Sequence, residues 1–138
     1  MINKSLGIYL LLIILQGCAS GLPYKEAAKP EAGFGVVYIY RSFALQAAAY
    51  GTDVYIDNQL AVSLRTSTYS HFYLKNGSHK FSSLGPDRFP IYLDIKDSET
   101  YFLEINSTVV GIKNVPFDIG KKNIDKYGFF EQKQLQFE

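Results

Sequence analysis

From Gly35 to Ile105 the dominant rhythm of apolar and polar side chains has a period of two, which predicts β-strands rather than helices. In Gln59 to Arg65, Leu60, Val62 and Leu64 fall on one face while Ala61, Ser63 and Arg65 fall on the other. Phe89, Ile91, Leu93 and Ile95 alternate in the same way with Tyr92, Asp94 and Lys96. The stretches Asp53 to Asp57 and Thr100 to Ile105 repeat the pattern, the first burying Val54 and Ile56, the second Tyr101, Leu103 and Ile105. Such strands cover a core with one face and meet solvent or another layer with the other. Gly35 to Arg41 is different, because Val36, Tyr38 and Tyr40 oppose Val37 and Ile39. A strand apolar on both sides is expected at the centre of a sheet.

Turn residues punctuate these runs. Asp57-Asn58, Asn76-Gly77 and Asp97-Ser98 each separate two strand-like stretches, including Tyr69 to Leu74 from Ser78 to Leu84. Asn-Gly and related pairs tolerate the positive φ of a tight hairpin, so all three predict hairpins. The tail from Lys121 to Glu138 reads two ways: a last strand through Phe129 and Phe130, or a short helix over a sheet edge. No long amphipathic helix is present. The predicted fold is therefore all-β, an antiparallel sandwich or partly open barrel of about seven to eight short strands.

The first residues follow another logic. Leu6 to Leu15 is an unbroken apolar run of ten residues after a single charge at Lys4. It is too short for the roughly 20 residues of a membrane-spanning helix and has the form of a secretory leader. Leu15-Gln16-Gly17-Cys18 follows directly and resembles the lipobox of bacterial prolipoproteins. The peptidase needs a small residue before the cut, and only a thiol forms the thioether to diacylglycerol. Cys18 is the only cysteine in the chain, so no internal disulfide competes for it. The expected organisation is a leader over 1–17, a lipidated Cys18 with a flexible tether to residue 33, and a β-domain over 34–138.

Tether and charge refine the picture. Ala19 to Gly33 is rich in small, charged and Pro residues. Fifteen such residues stretch at most to about 50 Å and average roughly 20 Å when flexible. One acyl chain holds a protein only marginally, at roughly 0.8 kcal/mol per buried CH₂, whereas a multiple anchor retains it. Of the 14 Lys and Arg residues, Lys4 departs with the leader, leaving 13 against 13 Asp and Glu. A neutral chain offers no basic face for nucleic acid and no polybasic membrane helix.

Three strand sequences carry a resemblance: Gly35-Val36-Val37-Tyr38-Ile39-Tyr40-Arg41, Val54-Tyr55-Ile56-Asp57-Asn58, and Phe72-Tyr73-Leu74-Lys75-Asn76-Gly77-Ser78-His79. They are similar to a family of small bacterial lipoproteins of unknown function, whose members show a Val-Tyr-x-Tyr-Arg strand, a Val-x-Val-Asp-Gly hairpin and a Leu-x-Pro-Gly-x-His turn. The hairpin logic also resembles PEGA-type surface repeats, which are β-rich and non-catalytic. Asn58 stands where the family has glycine and Asn76 where it has proline. The resemblance implies an envelope address and a β-fold. By the sorting rule of Gram-negative lipoproteins, Ala19 after the cysteine implies the outer membrane, with the domain in the periplasm or at the cell surface. In a Gram-positive host it would sit outside the single membrane.

Candidate chemistry is sparse. Neither His71 nor His79 has a second histidine at ligand spacing, and HExxH and CxxC patterns are absent, so no metal or cofactor is expected. Ser70 and His71 are strand neighbours and point to opposite faces, which separates nucleophile from base. Gly33-Phe34-Gly35 opens a strand and lacks the helix N-terminus that holds a phosphate. Asp87, Asp94, Asp97 and Glu99 match no calcium-loop spacing and read as a solvated rim. Asn106-Ser107-Thr108 matches a glycosylation sequon without further support. Tyr55, Tyr69, Tyr73 and Tyr92 all fall on the face opposite the expected core, with Arg65 and His71 among them. If their strands adjoin, they form an exposed aromatic strip of the kind that binds glycans or proteins. The expected role is a non-catalytic envelope module; the competing one is a small-ligand carrier or hydrolytic enzyme with a cleft in the sandwich.

Overall fold

The computed structural model describes residues 26–45, 49–106 and 111–129. The leader, Leu15-Gln16-Gly17, Cys18, most of the tether, Ser107-Thr108 and Phe130 to Glu138 lie outside them. Among the described residues nine strands and one helix form two packed sheets: β1 (Phe34–Arg41), β2 (Thr52–Ile56), β3 (Gln59–Leu64), β4 (Thr68–Lys75), β5 (Gly77–Ser83), β6 (Ile91–Ile95), β7 (Thr100–Ile105), β8 (Ile112–Val115), α1 (Phe117–Ile124) and β9 (Gly128–Phe129). The first sheet has the order β8-β7-β1-β4-β9 and the second β3-β2-β5-β6. The all-β sandwich is thus the fold, and it is not a closed barrel.

β1 lies at the centre of the five-stranded sheet, as its two apolar faces require. Val37 and Ile39 join the inter-sheet core with Val54, Ile56, Phe81, Leu103 and Ile105. Val36, Tyr38 and Tyr40 face away from the partner sheet into a second cluster with Tyr69, Phe102 and Ile124. Two hydrophobic layers therefore share one strand.

Pairing departs from a purely antiparallel scheme, because β7 runs parallel to β1 and β9 parallel to β4. For β7 the cause lies in the turns, and β9 reaches β4 by way of the helix. Asp57 and Asn58 both take positive φ, 49° and 68°, and close a true hairpin between β2 and β3. At Asn76-Gly77 only the glycine is left-handed, and at Asp97-Ser98 only the serine. A two-residue hairpin of the primed type I geometry needs both. These two turns instead carry the chain from one sheet to the other, so β4 and β5 lie in different sheets, as do β6 and β7. Backbone bonds lock the crossings to the foot of β1: Asn76 N–H donates to Gly33 O and Ser98 N–H to Phe34 O, both 2.9 Å. In β3, Val62 pairs with Val54 and Leu60 with Tyr55, which leaves Ala61 as a bulge.

The ambiguous tail resolves into both alternatives in turn. A short helix comes first and begins before Lys121; a two-residue strand through Phe129 follows. Pro116 sets the helix entry at φ −55°, Asp118 lies in the first turn and Lys121 and Lys122 in the last, which suits the helix dipole. The helix covers the face of the five-stranded sheet rather than its edge, burying Gly120 and Ile124. Glu26 to Gly33, read from sequence as tether, also lies against the folded body. Ala27 N–H donates to the Tyr38 hydroxyl at 2.9 Å, and Gly33 N–H to Asp97 Oδ1 at 2.7 Å.

Candidate functional site

The six residues of the expected aromatic strip separate into three places. Tyr69, His71 and Tyr73 stand in β4 on the face away from the partner sheet, opposite Tyr40, Tyr38 and Val36. That face is covered: Tyr69 is fully buried, and His71 and Tyr73 are half-buried. Tyr55 in β2 and Tyr92 in β6 belong to the other sheet, where β5 separates them, Tyr55 opposite Ser82 and Tyr92 opposite Lys80. Arg65 sits exposed in the β3–β4 crossing, and its carbonyl accepts the Thr68 hydroxyl at 2.7 Å. The single exposed strip is therefore corrected. Its premise was that these strands adjoin, and the two crossings that bracket β4 place it in a different sheet from β2 and β6. Of the four tyrosines, Tyr92 alone is largely exposed, at 69%.

The covered face forms an aromatic stack, with Phe117 and the helix over Phe102 and with Phe129 over Tyr69 and His71. Tyr38 and Phe102 lie face to face with centroids 5.1 Å apart and planes within 10°. His71 stacks on Phe129 at 5.2 Å and meets Tyr73 edge-on at 5.7 Å, while Phe117 meets the Phe102 ring at 5.3 Å. Such arrangements contribute about 0.5–1.5 kcal/mol per pair beyond burial. Two phenols of this face are held in place: Asn123 Nδ2 donates to the Tyr40 hydroxyl at 3.1 Å, and the Tyr73 hydroxyl donates to Ala28 O at 2.8 Å. Burial pushes both phenols above their usual range, because the phenolate would lose its hydration.

Beside the stack, Glu26 to Pro30, the sheet face and the helix enclose an open cleft of about 370 Å³. Val36, Tyr38, Phe102 and Phe117 make an apolar wall, and Ser98, Thr100, Lys29 and Lys121 supply polar groups at its rim. Lys121 Nζ is also 2.9 Å from Asp125 Oδ1. The cleft suits a small amphipathic ligand with an anionic or hydroxylated end. The Glu26 carboxylate also lines it.

Asp57, His79 and Arg41 have structural partners that sequence reading did not assign. His79 Nδ1 lies 2.6 Å from Asp57 Oδ2 and its Nε2 lies 2.8 Å from Lys75 O, while Asp57 Oδ1 accepts Lys80 N–H at 2.9 Å. One imidazole thus ties the β2–β3 hairpin to the β4–β5 crossing. Arg41 ends β1 fully buried, and its Nη1 donates to Leu64 O at 3.0 Å and to Tyr50 O. Burial lowers the affinity of that guanidinium for its proton. Pairing of an Asp in one turn with a His after another was the available signal, but only the tertiary fold brings them together.

The acidic rim is dispersed. Asp87 pairs with Lys80 at 2.6 Å, Asp97 accepts from Gly33, and Glu99 accepts the Tyr101 hydroxyl at 2.7 Å. Among the described residues no group of three His, Cys, Asp or Glu side chains gathers for a metal ion, and no helix is long and apolar enough to cross a membrane. Comparison of the chain with protein-family models, curated proteins and solved structures finds no match.

Proposed function

We propose that this protein is a bacterial lipoprotein, anchored through a diacylglyceryl thioether at Cys18, whose β-sandwich serves as a non-catalytic envelope module that binds a partner protein or glycan or helps assemble a surface complex. The observation that carries the reading is the ten-residue apolar run set directly before Leu15-Gln16-Gly17-Cys18. The chemistry of the folded body is compatible with it. His79 is engaged at both ring nitrogens within the fold, and His71 is stacked among aromatic rings, so each histidine has a packing role. Ala19 favours the outer membrane as the final address in a Gram-negative host.

The test is the mass of the protein isolated from its own membranes. Loss of residues 1–17 with a diacylglyceryl addition at Cys18, and its abolition in Cys18→Ser, is the expected result; an intact leader or an unmodified thiol refutes it. A crosslinking pull-down from the same membranes then reads partners, with Tyr92→Ala probing the remaining exposed aromatic of the strip. The second reading, a small-ligand carrier, is favoured by the cleft between Glu26–Pro30, Tyr38 and Phe117. It predicts a small molecule co-purifying with the native protein and displaced by Phe117→Glu.

A further inference from the structure

The two ends of the sandwich differ in how much apolar surface they expose. At one end lie the β2–β3 turn and the β4–β5 and β6–β7 crossings, with Asp57, Asn58, Asn76, Lys96, Asp97 and Glu99. At the other lie the β1–β2 and β5–β6 connections and the β3–β4 crossing, and here, beside the charged Arg65, Asp87 and Arg88, the structure exposes Phe43 (66%), Leu45 (78%), Tyr50 (73%), Leu84 and Phe89. These are five of the nine large apolar side chains exposed among the described residues. No charged residue occurs between Arg41 and Asp53. The base of the β1–β2 connection is fixed: Ser42 donates to Glu104, and Ala44 N–H donates to Thr66 Oγ1 at 3.0 Å. Holding residues 42 and 44 inward turns 43 and 45 outward. Leu84 belongs to the same end, since its N–H donates to Asp53 O at 3.1 Å.

We infer that this end of the domain docks into the lipid surface, with Phe43, Leu45 and Tyr50 inserted among the headgroups and upper acyl carbons. The inference rests on the lipid-anchor reading and adds an orientation to it. The path of the chain points the same way. From Gly33, at the foot of β1, the residues that precede it climb the sheet face until Ala27 meets the Tyr38 hydroxyl, heading toward the Arg41 end. Three strand steps from Tyr38 to Arg41 cover about 10 Å. The seven residues 19–25 reach about 25 Å at full extension, so Cys18 can lie in the plane of the apolar loop. With 13 positive and 13 negative side chains after the leader, no net charge draws the domain to lipid, and apolar contact is what remains. Interfacial segments rich in Phe, Tyr and Leu sit roughly 5–10 Å into the headgroup boundary, and aromatic rings favour that zone.

The chain contains no tryptophan, so single reporters can be introduced at exposed sites without background. Full-length protein, processed in a bacterial host, is returned to phosphatidylcholine vesicles with brominated acyl chains as Phe43→Trp, Leu45→Trp and the control Tyr92→Trp. Emission from the first two is expected to shift to the blue and lose most of its intensity, while the control matches its emission in unbrominated vesicles. Equal, unquenched emission at all three positions, on vesicle-bound protein whose mass shows a diacylated Cys18, overturns the docking and leaves the anchor standing. An intact leader or free thiol in that mass overturns the anchor, and the quenching pattern in the same sample still decides the docking. Reporters at 43 and 45 shielded from aqueous iodide yet untouched by bromine overturn the lipid assignment and give the surface to a protein partner.

Discussion

Replacing Gly120 by alanine sets one local rule against one tertiary contact. Helix propensity alone favours the change by about 1 kcal/mol, since alanine loses less backbone freedom than glycine. In the fold, however, a Cβ at residue 120 would come within 2.7 Å of Phe102 Cδ1 and closer still to Phe102 Cγ and Cβ. Those atoms cannot yield easily. Phe102 is 1% exposed, clamped between Tyr38 and Phe117, and its Cβ is fixed by a strand paired on both sides. The helix would have to lift from the sheet by about an ångström or more, loosening Ile124 and the Asn123–Tyr40 bond. Overpacking of this kind costs roughly 1–3 kcal/mol, and here the ring cannot rotate away, so the upper half of that range applies. The net expectation for Gly120→Ala is a loss of about 1–2 kcal/mol, which in a domain of this size lowers Tm by several degrees. Urea unfolding followed by tyrosine emission measures it directly. In a Phe102→Ala background, itself costing about 3–5 kcal/mol, the clashes with the ring atoms are removed while the one with the Phe102 Cβ stays, so the same glycine change should cost less than in the unaltered protein without becoming favourable. Equal or higher stability of Gly120→Ala in the otherwise unaltered protein would refute the proposed seating of the helix.

Three further outcomes follow from the geometry. His79→Ala removes both contacts of the imidazole; because Asp57 keeps Lys80 N–H and some water, a loss of about 1–3 kcal/mol is expected in the same urea assay, and no loss would mean that the turns hold themselves. Arg41→Met leaves the Leu64 and Tyr50 carbonyls without their guanidinium donor; about 1–3 kcal/mol of destabilisation is expected, with faster amide exchange in residues 50–52 as the local readout. Alkaline pH acts through Tyr40. Its folded-state titration lies above the ordinary 10.0 because of burial, so stability is intact below pH 10 and falls as pH rises from there through the raised value. Tyr40→Phe should flatten that fall in pH-dependent unfolding, and an unchanged slope would assign it elsewhere.

The period-two pattern of Val62 and Leu64, or of Ile91, Leu93 and Ile95, was sufficient by itself to determine strands and which faces they bury; it failed at Leu60, which is 50% exposed while Ala61 enters the core because of the bulge, and at Phe89, which is exposed before β6 begins. The alternation of a strand is a local property of the pleat, so it is written in neighbouring residues. The two-sided apolar character of β1 likewise located it at the centre of its sheet, and the Asp57-Asn58 pair encoded its hairpin through its own backbone preferences. What the neighbours of a strand are is not local. Asn76-Gly77 and Asp97-Ser98 look like hairpin turns, yet their hydrogen bonds go to Gly33 and Phe34 at the foot of β1, and the chain changes sheet there. The crossings that bracket β4 put Tyr69 and His71 against Phe129 and Tyr73 against Ala28, away from Tyr55 and Tyr92. Asp57 and His79 meet, and Phe43, Leu45 and Tyr50 share one end with Leu84 and Phe89, only because long-range pairing fixed where each connection falls. Contacts between residues distant in sequence depend on sheet order, and sheet order is set by the packing of the whole core.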